Sequence, residues 1–384
     1  MKKTLLLSEI FPPVKGGSGR WFWEVYNRLP SDRVVVAAGN NEQAAAFDKK
    51  NPLKTFRLPL SSTSWGLRSL VGLKFYWSVY WAVRKLVKQE KIEVIHCGRC
   101  LPEGFVAYLI SKTMGIPYIC YIHGEDVETA ATSRELSWIV HRSLGGAEKL
   151  VCNSQNTADI VLNTWHASRE KTHVVHPGVD AGYFVPAAPD AEVRDSLGWG
   201  QRPVVVTVGR LQLRKGQDML IQALPEIRQQ FPDILYAIIG EGEEKAALVK
   251  LAADLGVTDN VAMMSELSDE QMLQCYQQCD VFVLPNRTVG RDIEGFGMVL
   301  VEAQACAKPV IAGDSGGTAE TMKVGETGYI VDCTSPAPLA RQIIEVLSNL
   351  EQRKSMGAAG RQHVEQNLDW SKLAEQARQL MLTV

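Results

Sequence analysis

Three cations fall within six residues in the stretch Val208-Gly209-Arg210-Leu211-Gln212-Leu213-Arg214-Lys215-Gly216-Gln217-Asp218, where an apolar run gives way to a helical pattern. A guanidinium forks onto paired oxygens, whereas an ammonium acts as a point charge. The first turn of a helix adds N–H groups that lack acceptors. Arg210 and Lys215 therefore mark a site for an anion. A second loop reads Arg291-Asp292-Ile293-Glu294-Gly295-Phe296-Gly297-Met298-Val299-Leu300-Val301-Glu302. Its glycines bracket a turn into a helix, so the N–H groups of Phe296, Gly297, Met298 and Val299 should point at whatever binds. Glu294 before the helix and Glu302 inside it only accept hydrogen bonds. Phosphate donors beside hydroxyl acceptors suit a ligand that carries both phosphates and sugar hydroxyls.

A third loop, from Glu9 to Arg20, holds Gly16, Gly17 and Gly19 between an apolar run and a helical pattern beginning at Trp21. It lets backbone approach a ligand closely. It is not GxGxxG, because the third glycine position falls on Phe22; Gly240-Glu241-Gly242 fails too, with Lys245 there. The dinucleotide fingerprint is absent twice, which disfavours a Rossmann dehydrogenase. Cys97-Gly98-Arg99-Cys100 has no second CxxC pair, so the eight cysteines are expected to be buried thiols of a reducing compartment. No Asp-x-Asp occurs, and no metal or other cofactor is expected.

These loops need strands to hold them. Apolar runs at Thr4–Leu7, Arg33–Ala37, Val94–His96, Tyr118–Ile122 and Leu150–Cys152 read as strands of one sheet, and His123 follows the fourth. The runs Pro203–Val208, Leu235–Ile239, Val261–Met263, Val281–Leu284 and Pro309–Ala312 read as a second set. Continuous rather than alternating apolarity implies parallel strands covered on both faces, with helices at Leu220–Gln230, Glu243–Leu255, Asp269–Gln278 and Ser371–Leu382. The fold class is α/β, with two Rossmann-like parallel-sheet domains of a 384-residue chain facing across a cleft. The domains are expected at 1–180 and 181–369, with a linker near 180–188 and the C-terminal helix, 370–384, packing back on the first. Net charge of −2 excludes a nucleic-acid binder held by bulk charge. No run reaches the length of a membrane span. Met1–Glu9 is too short in apolar residues for a secretory leader and reads as a buried first strand, so a cytoplasmic protein is expected.

Arg210…Lys215 followed by Glu294 and Glu302 resembles the signature of retaining GT-B glycosyltransferases of family 4. Gly16-Gly17, His123-Gly124-Glu125, Asn153-Ser154-Gln155, His176-Pro177-Gly178-Val179-Asp180 and Ala312–Glu320 match as well, so the likeness runs along essentially the whole chain. Arg214-Lys215-Gly216-Gln217-Asp218 and Val301–Cys306 look most like the GDP-mannose-dependent phosphatidylinositol-mannoside mannosyltransferase branch. The resemblance implies that Arg210 and Lys215 neutralise a donor diphosphate and that Lys215 assists its departure. It implies that Glu294 holds donor-sugar hydroxyls and Glu302 the ribose hydroxyls. Backbone at Gly297, Met298, Val299, Gly16 and Gly17 would complete the cradle, and His123 would contact the transferred sugar. Glu125-Asp126 and Asp292 are more acidic than a diphosphate neighbourhood suggests.

The implied reaction is metal-independent hexosyl transfer, most simply mannose from GDP-mannose, to a hydroxyl of a glycolipid or growing glycan. A UDP-sugar enzyme with a soluble or polysaccharide acceptor is the alternative. A non-catalytic sugar-nucleotide-binding protein is a reading of another class. Residues 65–88 combine Trp65, Phe75, Tyr76, Trp77, Tyr80 and Trp81 with five cations and no acid. That is the composition of an interfacial helix, which would place the protein peripherally on an anionic membrane, on its inner face.

Overall fold

Val34-Val35-Val36 and Val204-Val205-Val206 are buried throughout, as β-branched runs are when a parallel sheet is covered on both faces. The computed structural model describes residues 1–14 and 16–384, and the chain divides into two units. One comprises Met1–Pro177 with Trp370–Val384, the other Gly178–Asp369.

The strands of the first unit are β1 (Thr4–Ser8), β2 (Val34–Gly39), β3 (Lys54–Leu58), β4 (Val94–Cys97), β5 (Tyr118–Ile122), β6 (Lys149–Cys152) and β7 (Thr172–Val174). They form one parallel sheet in the order β3-β2-β1-β4-β5-β6-β7. The second unit has β8 (Val204–Val208), β9 (Leu235–Ile239), β10 (Val261–Met264), β11 (Val281–Leu284), β12 (Val310–Gly313) and β13 (Gly328–Val331), ordered β10-β9-β8-β11-β12-β13 and again parallel. Chain direction across each sheet reverses beside its first strand. Loops after β1 and β4 therefore flank a switch point in one unit, and loops after β8 and β11 flank one in the other. Open parallel sheets bind ligands at such points.

The buried strands match the apolar runs. β3, β7 and β13 do not follow from the sequence: each lies at a sheet edge, β3 and β7 are half-buried over most of their length, and β13 is half-buried at its two central residues. Residues 180–188 are not a free linker. Phe184 packs on Tyr276 with ring centroids 5.6 Å apart. Arg361 donates to the carbonyls of Phe184 (2.6 Å) and Ala181 (2.9 Å), and Gln277 to that of Val185 (2.9 Å). Side chains satisfy this aperiodic backbone, which is why it lies within the second unit and the change of unit falls at Pro177–Gly178. The helix Trp370–Met381 belongs to the first unit, where Lys149 reaches the carbonyl of Leu380 at 3.1 Å. All eight cysteines are buried and unpaired, and burial pushes the Cys97 and Cys100 thiols up, away from the reactive thiolate.

Candidate functional site

The loop after β8 is held by main-chain bonds before any ligand arrives. Leu211 N donates to Glu241 O at 2.9 Å and Glu244 N to Leu211 O at 3.1 Å, while the Leu211 side chain is buried. Arg210 beside it is exposed, and its charge reaches the nearby Glu243 carboxylate. The turn Leu213–Lys215 leads to Gly216, whose φ of 73° is left-handed. A Cβ at Gly216 would lie 1.8 Å from the carbonyl oxygen of Pro285, so only glycine lets this loop meet the one after β11. Two further ties join them. Arg287 N donates to Arg214 O at 2.8 Å, and the Arg287 guanidinium forks onto Asp218 with both bonds at 2.8 Å.

Glu294 is positioned through its backbone. Its carbonyl accepts from Gly317 N at 2.9 Å, and a Cβ on Gly316 would come within 1.9 Å of that oxygen. The side chain, in a residue only 8% exposed, meets two cations on one oxygen: Arg214 Nη1 at 2.8 Å and Lys215 Nζ in closer contact. Burial pushes the Glu294 carboxyl up, but Lys215 and Arg214 outweigh it, and the group sits below the usual carboxylate range. Asp292 pairs with Arg214 Nε at 3.0 Å, so its charge, unexplained in the sequence, is matched within the loop.

Gly297, with φ 97°, turns the chain into the helix Met298–Ala305. The first main-chain bond closing this turn is Leu300 N to Gly297 O at 2.9 Å. Helix geometry leaves the N–H groups of Met298 and Val299 without partners inside the helix. Phe296 is buried, so its side chain does not reach a ligand. Glu302, one turn further along, accepts a 2.6 Å hydrogen bond from the buried hydroxyl of Tyr276. Arg210, Lys215, Glu294, Phe296, Gly297, Met298, Val299 and Glu302 thus share the carboxyl end of one sheet, around its switch point. An exposed Arg210, a Lys215 held by one carboxylate, the start of a helix and buried carboxylates there can take a phosphorylated polyol.

His123, Gly16 and Gly17 stand on the first unit. The helix there begins at Gly17 rather than Trp21, since its first turn needs no intrahelical N–H partners and so tolerates glycines. Gly19 makes room for Ile10, whose Cγ2 would lie 3.2 Å from a Cβ. Trp21 and Phe22 from this helix meet the His123 ring edge-on, with centroids 5.6 and 5.9 Å away. His123 Nε2 is 2.8 Å from Gly98 O. Asp126 accepts from His123 N and Cys100 N, both at 3.1 Å, so it ties the loops after β4 and β5 together. Sequence reasoning missed the Tyr276, Asp126 and Arg287–Asp218 contacts. Only folding joins Tyr276 to Glu302 and Arg287 to Asp218.

The model of a family described as Glycosyltransferase Family 4 matches residues 15–183, and that of Glycosyl transferases group 1 matches residues 190–363. A GDP-mannose-dependent alpha-(1-6)-phosphatidylinositol monomannoside mannosyltransferase from Mycolicibacterium smegmatis is 32% identical over 97% of this chain and 97% of its own length. A GDP-mannose-dependent monoacylated alpha-(1-6)-phosphatidylinositol monomannoside mannosyltransferase from Corynebacterium glutamicum is 31% identical over 99% and 98%. Among solved structures, Anabaena HepE in complex with UDP and glucose aligns over all of both chains with a TM-score of 0.84 at 20% identity. Sucrose-phosphate synthase from Thermosynechococcus elongatus aligns over 100% of this chain and 99% of its own with a TM-score of 0.81, also at 20%. These neighbours share the GT-B fold of two Rossmann-like units. With likeness to the mannosyltransferases sustained from end to end, this chain belongs to the glycosyltransferases of family 4.

Proposed function

We propose that the protein transfers mannose from GDP-mannose to a hydroxyl of a glycolipid or growing glycan, with retention of anomeric configuration and without a metal. The observation that carries this reading is the meeting of Lys215, Arg214 and Glu294 at the switch point of the second sheet, beside the open helix start at Met298. Breaking the anomeric C–O bond puts negative charge on the leaving phosphate. Arg210 and the N–H groups of Met298 and Val299 meet that charge, and Lys215 joins them when it exchanges Glu294 for the phosphate. Glu294 and Glu302 accept from hydroxyls of the sugar and the ribose. For His123, Gly16 and Gly17 the family likeness implies contact with the donor. In this reading the cations neutralise the leaving group, and the departing phosphate receives the acceptor proton. The branch is taken from the relatives, which are named for GDP-mannose.

The deciding experiment is a panel of GDP- and UDP-sugars with mass analysis of the product. Hexose transfer from GDP-mannose is expected; transfer only from UDP-sugars would overturn the donor, and tight nucleotide-sugar binding without turnover would overturn the enzyme.

Peripheral membrane contact is part of the same reading. The helix Leu70–Glu90 turns Tyr76, Val79, Val83, Leu86 and Val87 inward, yet Leu70 is 75% and Trp77 68% exposed, with Leu73 and Trp81 exposed beside them. Lys74, Lys85 and Lys88 are exposed on the same helix. An apolar stripe rimmed by cations fits an anionic lipid surface. No helix of the described residues is long and apolar enough to cross a membrane. Sedimentation with phosphatidylglycerol vesicles at low salt is expected to carry the protein down, and Trp77→Ala with Trp81→Ala to release it. Native protein left in the supernatant would remove the idea.

A further inference from the structure

The two cations on Glu294 are not equivalent. Lys215 Nζ has Glu294 as its only partner among the described residues. Arg214 holds Glu294 through Nη1 and Asp292 through Nε, at 2.8 and 3.0 Å, and its carbonyl accepts from Arg287 N at 2.8 Å. Arg287 is locked in turn by its fork onto Asp218. The Arg214 side chain is therefore held by two carboxylates and the Lys215 side chain by one.

We infer that Arg214 is a positioning residue: it stays on Glu294 when Lys215 swings to the donor diphosphate, and so keeps that carboxylate fixed for the sugar hydroxyls. The inference rests on the donor-site reading above. A carboxylate this buried needs a counter-charge once Lys215 has left. Without one it takes up a proton and loses half its acceptor capacity. The charged groups facing Glu294 are Lys215 and Arg214 from the turn before Gly216. The Gly316-Gly317 turn packed on its backbone brings no charge. Asp292 is the brace behind the brace: its side chain is 49% exposed, so it orients the guanidinium without itself meeting Glu294.

The roles separate when the sugar and the diphosphate are read apart. GDP and GDP-mannose are titrated by calorimetry into the native protein, Arg214→Gln, Arg214→Lys and Asp292→Asn, with UDP and UDP-glucose as a second pair, and turnover is measured on the same samples. Arg214→Gln is expected to bind the bare diphosphate within about twofold of native. The added affinity conferred by the hexose should vanish, and kcat should fall about a hundredfold, as for other groups that hold reacting parts in register. Asp292→Asn is expected to lower kcat about threefold to tenfold, in the same direction. Arg214→Lys, which keeps a charge but not the fork, should recover part of the loss. Equal weakening of diphosphate and sugar nucleotide by Arg214→Gln would make Arg214 a phosphate ligand and overturn the inference. So would an Arg214→Lys as inactive as Arg214→Gln together with a native Asp292→Asn. Failure of the native protein to bind either nucleotide pair is a different result: it overturns the donor-site reading itself, and this inference with it.

Discussion

Lys215→Ala is expected to lower kcat/KM for sugar transfer by about a thousandfold or more while leaving the protein folded. The geometry explains both halves. In the free protein Lys215 supplies one of two cations to Glu294, and Arg214 remains at 2.8 Å when it is removed. The buried carboxylate keeps a counter-charge, so the loss of stability should stay at about 1–3 kcal/mol, below that of a buried charge left with no partner. Transfer has no such reserve. Arg210 and the N–H groups of Met298 and Val299 are then left to meet the departing phosphate. A pH signature accompanies the change. Burial pushes the Glu294 carboxyl up, and Lys215 is the stronger of the two groups pulling it down. A depressed carboxyl contributes stability that is present above its unfolded value and is lost as pH falls through its folded value. Removing Lys215 raises the folded value, so acid unfolding of the variant should start at higher pH than in the native protein. A well-folded Lys215→Ala with near-native kcat/KM would remove Lys215 from the site.

That Lys215 and Glu294 stand at the same end of one sheet was legible in outline, although 79 positions separate them. Each follows an apolar run, and parallel strands bring the loops after such runs to one end of the sheet. What could not be read is which cation takes which carboxylate. The pairing depends on Gly216 passing close over Pro285 and on the Gly316-Gly317 turn pressing on Glu294, contacts set by sheet order rather than by local pattern. Three of the four edge strands escaped for a related reason. Lys54–Leu58 is half-covered along most of its length and carries Lys54, Thr55 and Arg57, so it lacks the continuous apolarity that marks Val34–Gly39 beside it. The stretch 180–188 misled in the opposite sense, because prolines and alanines without a period look like a linker. Its backbone is instead fixed by Arg361 and Gln277, side chains distant in sequence.

Glu294→Gln should abolish most transfer, by about a hundredfold or more, and yet bind GDP more tightly than the native protein does. The two effects have one origin. In the free protein the diphosphate must compete with Glu294 for Lys215, because the ammonium and the carboxylate are already in contact. An amide of the same shape accepts a hydrogen bond from Arg214 but carries no charge to hold Lys215. The lysine is then available to the phosphates at once, and GDP affinity should rise severalfold, about 1 kcal/mol for fivefold. GDP-mannose should not share the gain, because the acceptor oxygens that meet the sugar hydroxyls are halved. The ratio of the two dissociation constants, measured by calorimetry on one preparation, therefore shifts toward the bare nucleotide. Salt provides a check: the native preference for GDP should weaken less steeply with ionic strength than the variant's, since in the native protein part of Lys215's charge is already neutralised. Unchanged transfer would mean that Glu294 does not meet the sugar. Weaker GDP binding in a folded Glu294→Gln would mean that the carboxylate helps rather than competes at the phosphates, and the exchange of Lys215 between the two partners would have to be abandoned.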